Sequence, residues 1–180
     1  MLVSKFAVVK KGIIITMKTK KIATYGLLIA LAFIFSYIES LFLFQFAPGM
    51  KLGLANLVVV TALYSMGSKE AFSLSIIRII LVGFTFGNLF SLLYSLAGGL
   101  LSCILMILFK KSKKFSVVGV SIIGGVSHNV GQIIVAIFVF ENLNLAFYLP
   151  ILLISGTVTG TLIGILGALI AKRIVIDPPR

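Results

Sequence analysis

One arginine lies in the middle of an apolar segment, where a charge is costly. Arg78 is central in residues 71–86, and Glu39 is the one acidic residue within the long apolar runs. A central arginine costs roughly 2.5–3.5 kcal/mol on insertion scales, so Arg78 should face the protein interior and have a partner. Two compatible interpretations follow. Arg78 binds a carboxylate or phosphate of a substrate, or it forms a structural ion pair with Glu39.

A polar stripe follows one face of a helix predicted over residues 117–140. Ser121, Gly125, His128 and Gln132 have the spacing i, i+4, i+7, i+11, and Asn129 is beside them. Such a stripe should avoid lipid, so it either lines a substrate cavity or hydrogen-bonds to neighbouring helices. Three strong polar side chains within five residues favour the cavity.

The segment between the first two apolar runs, residues 45–56, contains a turn and two more polar candidates. Pro48 and Gly49 predict the turn, Lys51 follows it, and Asn56 enters the next helix. The segment is either a lid over an outward-facing pocket or a connecting turn with a snorkelling lysine.

The residues needed for most catalytic chemistry are missing from the sequence. One histidine without a carboxylate or thiolate cluster predicts no metal site, and Ser127 beside His128 has no acid to complete a nucleophilic triad. No glycine-rich phosphate loop ending in Gly-Lys-Ser/Thr occurs. The sequence therefore predicts a protein that is not an enzyme and that needs no cofactor.

The composition indicates a membrane protein. Hydrophobic residues make up 60% of the 180 residues, charged residues 11%, and the mean hydropathy is +1.22. A soluble domain this apolar would expose aggregating patches. The net charge of +12 does not indicate nucleic acid, because the basic residues lie in short patches between apolar runs. Cys103 is the single cysteine, so no intrachain disulfide can form.

The apolar runs predict an all-α integral membrane protein with about six transmembrane helices. Four runs are long enough to cross a hydrocarbon core of roughly 30 Å, and the second and third are shorter. The short pair is either two crossings or a hairpin dipping into the membrane, and two crossings are favoured because a hairpin would bury Lys69 and Glu70 in lipid. The predicted runs are residues 22–44, 53–66, 71–86, 89–109, 117–140 and 148–171.

The positions of the basic residues predict that both termini are cytoplasmic. With the N-terminus inside, every lysine and arginine except Lys51 and Arg78 falls on the cytoplasmic side. The chain then divides into a basic cytoplasmic segment (1–21), a six-helix membrane domain (22–171) and a cytoplasmic tail (172–180). Met17 is a natural start ahead of the first span, so residues 1–16 are either a mis-called start or an interfacial segment. The expected location is the cell membrane, with several crossings.

Small residues form two stripes with a spacing of four. Gly156, Gly160 and Gly164 repeat in the last run, and Gly26 and Ala30 repeat in the first. Such spacing lets helices approach closely, either inside the bundle or against a second membrane subunit.

Two specific strings resemble the Gx transporter family, whose members are commonly labelled heptaprenyl diphosphate synthase component I. They are residues 48–56 (PGMKLGLAN) and 124–132 (GGVSHNVGQ), and the isolated Arg78 matches as well. The resemblance covers about residues 18–173. The family is also similar to the S-components of energy-coupling factor transporters, six-helix proteins that bind vitamins or other small molecules and dock on a membrane scaffold driven by cytoplasmic ATPases.

The resemblance implies an S-component-like bundle with a substrate pocket and a docking face. Gly26 and Ala30 would dock the scaffold, and the pocket would be lined by Asn56, Arg78, His128, Asn129 and Gln132. Together with Glu39 and Lys51, these five are the predicted substrate-binding residues. The substrate would be a vitamin-like or anionic precursor.

The family label raises an alternative of a different class. Chain-elongating prenyl synthases bind diphosphate through magnesium held by aspartate-rich motifs, and this chain has one aspartate, Asp177. The label therefore predicts at most a non-catalytic membrane subunit of a heptaprenyl or polyprenyl diphosphate synthase, with the catalytic subunit as its partner.

Overall fold

The protein is an all-α chain in a computed structural model that describes residues 2–42 and 53–174, with side chains from residue 19 onward except that of Phe42. No strand occurs among these residues, which confirms the predicted fold class. A short 3₁₀ helix, Leu143–Tyr148, precedes the last of the α-helices. These are α1 (Leu2–Phe42), α2 (Leu54–Ser65), α3 (Ser68–Thr85), α4 (Leu89–Lys111), α5 (Val117–Phe140) and α6 (Leu149–Arg173).

Four helical stretches are long and apolar enough to span a membrane: Thr19–Leu41, Leu89–Lys111, Val117–Phe140 and Leu143–Arg173. At about 1.5 Å per residue, even the 23-residue stretches exceed a hydrocarbon core of roughly 30 Å. The helix α2 has only 12 residues, and α3 contains Lys69, Glu70 and Arg78. Six crossings with cytoplasmic termini therefore remain a prediction, whereas the multi-pass, membrane-like character is clear.

The helix α2 is the core of the bundle. Nine of its residues are buried, and Ala62 and Leu63 are completely inaccessible to solvent. It packs against α1, α3 and α6, so it has neighbours on all sides. A helix that is apolar all round is stable only when it is enclosed in this way.

Glycines let α4, α5 and α6 approach each other closely. A Cβ on Gly125 would lie 2.5 Å from the carbonyl oxygen of Gly156, and a Cβ on Gly160 would lie 2.7 Å from the Cα of Ile122. On the other face of α5, a Cβ on Gly131 would lie 2.9 Å from the carbonyl oxygen of Ala97. The stripe of glycines on α6 therefore serves packing inside the bundle, as small residues do between membrane helices.

Polar contacts hold the short hairpin of α2 and α3 against its neighbours. Lys21 on α1 forms a salt bridge of 2.7 Å with Glu70 at the start of α3. The ammonium group of Lys110 on α4 donates a hydrogen bond to the carbonyl oxygen of Leu63 and lies 5.0 Å from the centre of the Tyr64 ring. These basic groups satisfy polar atoms at one end of the hairpin.

Candidate functional site

A small polar cavity lies inside the bundle, next to the first turn of α2. This central cavity has a volume of about 30 Å³, enough for about two water molecules at roughly 10–15 Å³ each. All six α-helices contribute residues to it. Its polar lining consists chiefly of Glu39, Asn56, Arg78, Ser121, His128 and Thr159.

Arg78 has unmet hydrogen-bonding capacity in this cavity. It lies in the middle of α3, and its Nε and Nη2 atoms are buried without a hydrogen-bond partner. A guanidinium group presents five N–H donors in a planar fork, which matches the two oxygens of a carboxylate or phosphate. Since unpaired buried donors are costly, the arginine favours an anionic group beside it.

Glu39 is buried, and its carboxylate interacts both with the N-terminus of α2 and with the charge of Arg78. Its Oε1 accepts a hydrogen bond of 2.7 Å from the backbone N–H of Leu54, the first residue of α2. Gly53, which precedes that residue, has φ 74°, a conformation that favours glycine. Among the described residues Glu39 forms no direct salt bridge with Arg78, although its charge stabilises the arginine cation. The carboxylate thus caps a helix N-terminus, where a negative charge is favourable.

The helix α5 brings His128 and Ser121 to the cavity. Both are buried, and His128 lies beside Gly98 of α4, where an added Cβ would meet the histidine Cε1 at 3.1 Å. Ser127 bonds instead to the backbone of its own helix, with its hydroxyl 2.6 Å from the carbonyl oxygen of Ile123. Ser121 and His128 are thus two of the polar side chains that line the central cavity.

The structure separates Asn129 from the central cavity. Its amide nitrogen donates a hydrogen bond of 2.6 Å to the carbonyl oxygen of Leu152 on α6. An added Cβ on Gly156 would lie 2.9 Å from the same nitrogen, so the side chain fits into the contact between α5 and α6. Here Asn129 joins two helices.

Gln132 lines a second cavity, one helical turn beyond His128. This second cavity has a volume of about 520 Å³ and lies where α4 begins, α5 ends and the 3₁₀ helix leads into α6. Its residues include Phe90, Tyr94, Gln132, Phe140, Tyr148 and Leu152. Its aromatic lining residues gave no functional signal in the sequence, because they are ordinary for a membrane helix.

The two docking candidates, Gly26 and Ala30, do not line either cavity. Lys51 lies outside the described residues. Gly26 and Ala30 lie on an exposed face of α1, and a Cβ on Gly26 would have no atom within 4 Å. No described residue packs against Gly26 on that face. Within the described part of the chain no group of three or more His, Cys, Asp or Glu residues could hold a metal ion.

Membrane-length helices around a small polar cavity, where two nitrogen atoms of Arg78 are buried, define a multi-pass, all-α membrane-type protein. The chain belongs to the heptaprenyl diphosphate synthase component I family, whose model matches residues 28–170. This range includes every predicted site residue except Gly26. No curated protein and no solved structure matches the chain.

Proposed function

We propose that this protein is the substrate-binding membrane subunit of a small-molecule transporter, and that it takes up a vitamin-like or anionic precursor across the cell membrane. The observation that carries the proposal is the pair of unpartnered, buried nitrogen atoms of Arg78 beside the central cavity. A polar cavity formed by several membrane helices is the usual form of a transport site.

The chemistry of the cavity suits one anionic group. Arg78 would bind it bidentately, and Asn56 and His128 would hydrogen-bond to it. The N-terminus of α2 adds a favourable dipole, which Glu39 partly neutralises. Because the cavity now holds only about two waters, a larger cargo requires the helices around it to separate.

Energy for uptake would come from partner proteins. The sequence has no phosphate-binding loop of the ATPase type, so ATP-driven transport would need cytoplasmic ATPases and a membrane scaffold subunit. The exposed stripe of Gly26 and Ala30 on α1 is the surface proposed for that scaffold.

Arg78→Ala tests the proposal directly. The protein would be purified from its native cell in a gentle detergent, and small molecules retained by it would be identified by mass spectrometry. We expect the wild type to retain an anionic metabolite, and Arg78→Ala to retain at least about tenfold less because a charge-assisted contact is lost. Arg78→Lys should be intermediate, since it keeps the charge but not the planar fork.

Lys69→Ala is the matched control, because this lysine lies on the same helix but is exposed. It should retain as much metabolite as the wild type. If Arg78→Ala inserts and retains the metabolite at the wild-type level, Arg78 is structural and the proposed site is wrong.

The family description favours a second candidate, a non-catalytic membrane subunit of a heptaprenyl or polyprenyl diphosphate synthase. One aspartate and three glutamates in the whole chain are too few for aspartate-rich magnesium motifs, so a separate subunit would supply catalysis. The same purification distinguishes the two functions. Stoichiometric recovery of an aspartate-rich synthase without ATPases supports the second, and recovery of ATPases with a scaffold subunit supports the first.

A further inference from the structure

The second cavity has the size and lining of a ligand site, although it is separate from Arg78. Its volume of about 520 Å³ lies within the range of roughly 300–1,000 Å³ that small-molecule sites occupy. Aromatic rings of Phe90, Tyr94, Phe140 and Tyr148 contribute to its walls, and none of the described residues that line it is charged. Such a lining suits an uncharged, largely apolar molecule.

Gln132 gives this cavity a specific polar feature. Its side chain is 8% exposed, and its carboxamide forms no hydrogen bond within the described part of the chain. A carboxamide offers two N–H donors and a carbonyl acceptor, so Gln132 can hydrogen-bond to a molecule in the cavity that it lines.

The position of Gln132 is fixed by its neighbour on α4. An added Cβ on Gly98 would lie 3.0 Å from the Cγ atom of Gln132, so the absence of a side chain there makes room for the glutamine. Tyr94, one turn before Gly98, lines the same cavity, and its buried hydroxyl also has no hydrogen-bond partner. Two side chains with polar groups, Tyr94 and Gln132, thus lie on facing helices of one apolar cavity.

We propose that the second cavity is a binding site for an uncharged, mostly apolar small molecule with a carbonyl or hydroxyl group that hydrogen-bonds to Gln132. The site does not depend on an anion at Arg78, so it stands or fails separately from the proposed transport function. An acyl chain of a membrane lipid would fill the same volume but would leave Gln132 without a partner.

Benzophenone is a suitable probe because it is uncharged, apolar and carries one carbonyl, and it crosslinks to nearby C–H bonds under light. The full chain would be reconstituted in phosphatidylcholine nanodiscs, irradiated with increasing benzophenone and digested for mass spectrometry. We expect saturable labelling in peptides of α4 and α5 that line the second cavity. Labelling that is unsaturable and spread over all lipid-facing helices would overturn the proposal.

Two variants on α5 test the volume of the cavity. Ala136 lines it, so Ala136→Phe should reduce saturable labelling at least tenfold. Ile134 is 46% exposed and does not line it, so Ile134→Phe adds an aromatic ring to the same helix and should leave labelling unchanged. Equal labelling of the two variants contradicts the site.

Competition with diphenylmethane, which lacks the carbonyl, tests the hydrogen bond without relying on a substitution in the cavity wall. Against a benzophenone probe that carries an isotope label, diphenylmethane should compete about fivefold less well in the wild type than unlabelled benzophenone does, the ratio expected for one hydrogen bond. In Gln132→Leu the two competitors should become equal. If they already compete equally in the wild type, the cavity takes apolar molecules such as acyl chains, and the role assigned to Gln132 is wrong.

Discussion

At the scale of single residues, Glu39 and Arg78 share one environment without forming a direct salt bridge. Glu39 caps α2 through Leu54, and Arg78 keeps two nitrogen atoms unpartnered. A buried carboxylate fully neutralised by an arginine would leave little for a ligand to gain. Here the carboxylate is committed in part to a helix terminus, so the arginine retains capacity for an external anion.

Removal of the Glu39 carboxylate should destabilise the fold through both of its roles. We expect Glu39→Ala to lower the free energy of unfolding by about 2 kcal/mol or more, because α2 loses its cap and Arg78 loses the nearest compensating charge. Unfolding by dodecyl sulfate in bicelles measures this change.

The double variant with Arg78→Met separates the two roles. If the charge matters, Glu39→Ala should cost less in the Arg78→Met background than in the wild type. Equal costs in both backgrounds would restrict Glu39 to capping. Glu141→Ala is a suitable control, because Glu141 is exposed after the end of α5.

At the scale of helices, the contact between α5 and α6 depends on glycines that leave no space for a methyl group. An added Cβ on Gly125 would lie 2.5 Å from a backbone oxygen, which cannot move away as a flexible side chain can. Gly125 also lines the central cavity, so the packing of these helices and the shape of the cavity are coupled.

Gly125→Ala should therefore lower the free energy of unfolding by about 1–3 kcal/mol through overpacking. Gly119→Ala makes the same change two turns earlier on α5, where the nearest atom would be 3.6 Å away. That control should be neutral or stabilising, since alanine favours a helix more than glycine does. Thermal unfolding of both variants in detergent is the measurement, and equal effects would contradict the close contact.

At the scale of the whole molecule, the exposed stripe of Gly26 and Ala30 on α1 is the surface proposed for docking a scaffold subunit. Gly26→Leu places a large side chain where no atom lies within 4 Å, so the isolated protein should fold normally. If α1 docks a scaffold subunit, co-purification of that subunit should fall at least tenfold. Thr157→Leu on the exposed face of α6 is the matched control, and an equal loss in both variants would remove α1 from the docking face.

The predicted orientation can be tested with single cysteines in a Cys103→Ser background. Asn142→Cys, between α5 and the 3₁₀ helix, should react with a membrane-impermeant maleimide in intact cells. Ser112→Cys, beside the basic end of α4, should react only after permeabilisation. The opposite pattern would invert the topology, and reaction of both in intact cells would show that α5 does not cross the membrane.

The sequence could predict the helices because hydropathy alone determines which stretches prefer lipid. The sequence also predicted that Glu39, Asn56, Arg78 and His128 would lie close together. Polar residues within apolar helices have few favourable places other than a shared interior. The assignment of these residues to binding remains a prediction. Their placement around one cavity agrees with it.

The division of the α5 stripe could not be predicted from spacing. His128 and Gln132 share a face of the helix, yet they line different cavities, and Asn129 bonds to α6. Which neighbour covers each turn of α5 depends on how closely α4 and α6 approach α5. Those two distances are set by glycines on α4, α5 and α6. The second cavity could not be predicted from the sequence either, because most of its walls come from apolar residues that occur in any membrane span.

The complete enclosure of α2 has a consequence for how the chain is made. With 12 residues, α2 is too short to partition into the bilayer alone, and α3 carries three charges. Their hairpin is synthesised early, but one wall of α2 is α6, where a Cβ on Gly167 would lie 2.9 Å from Val60. The wall that α6 forms against α2 can therefore be completed only after α6 has left the ribosome.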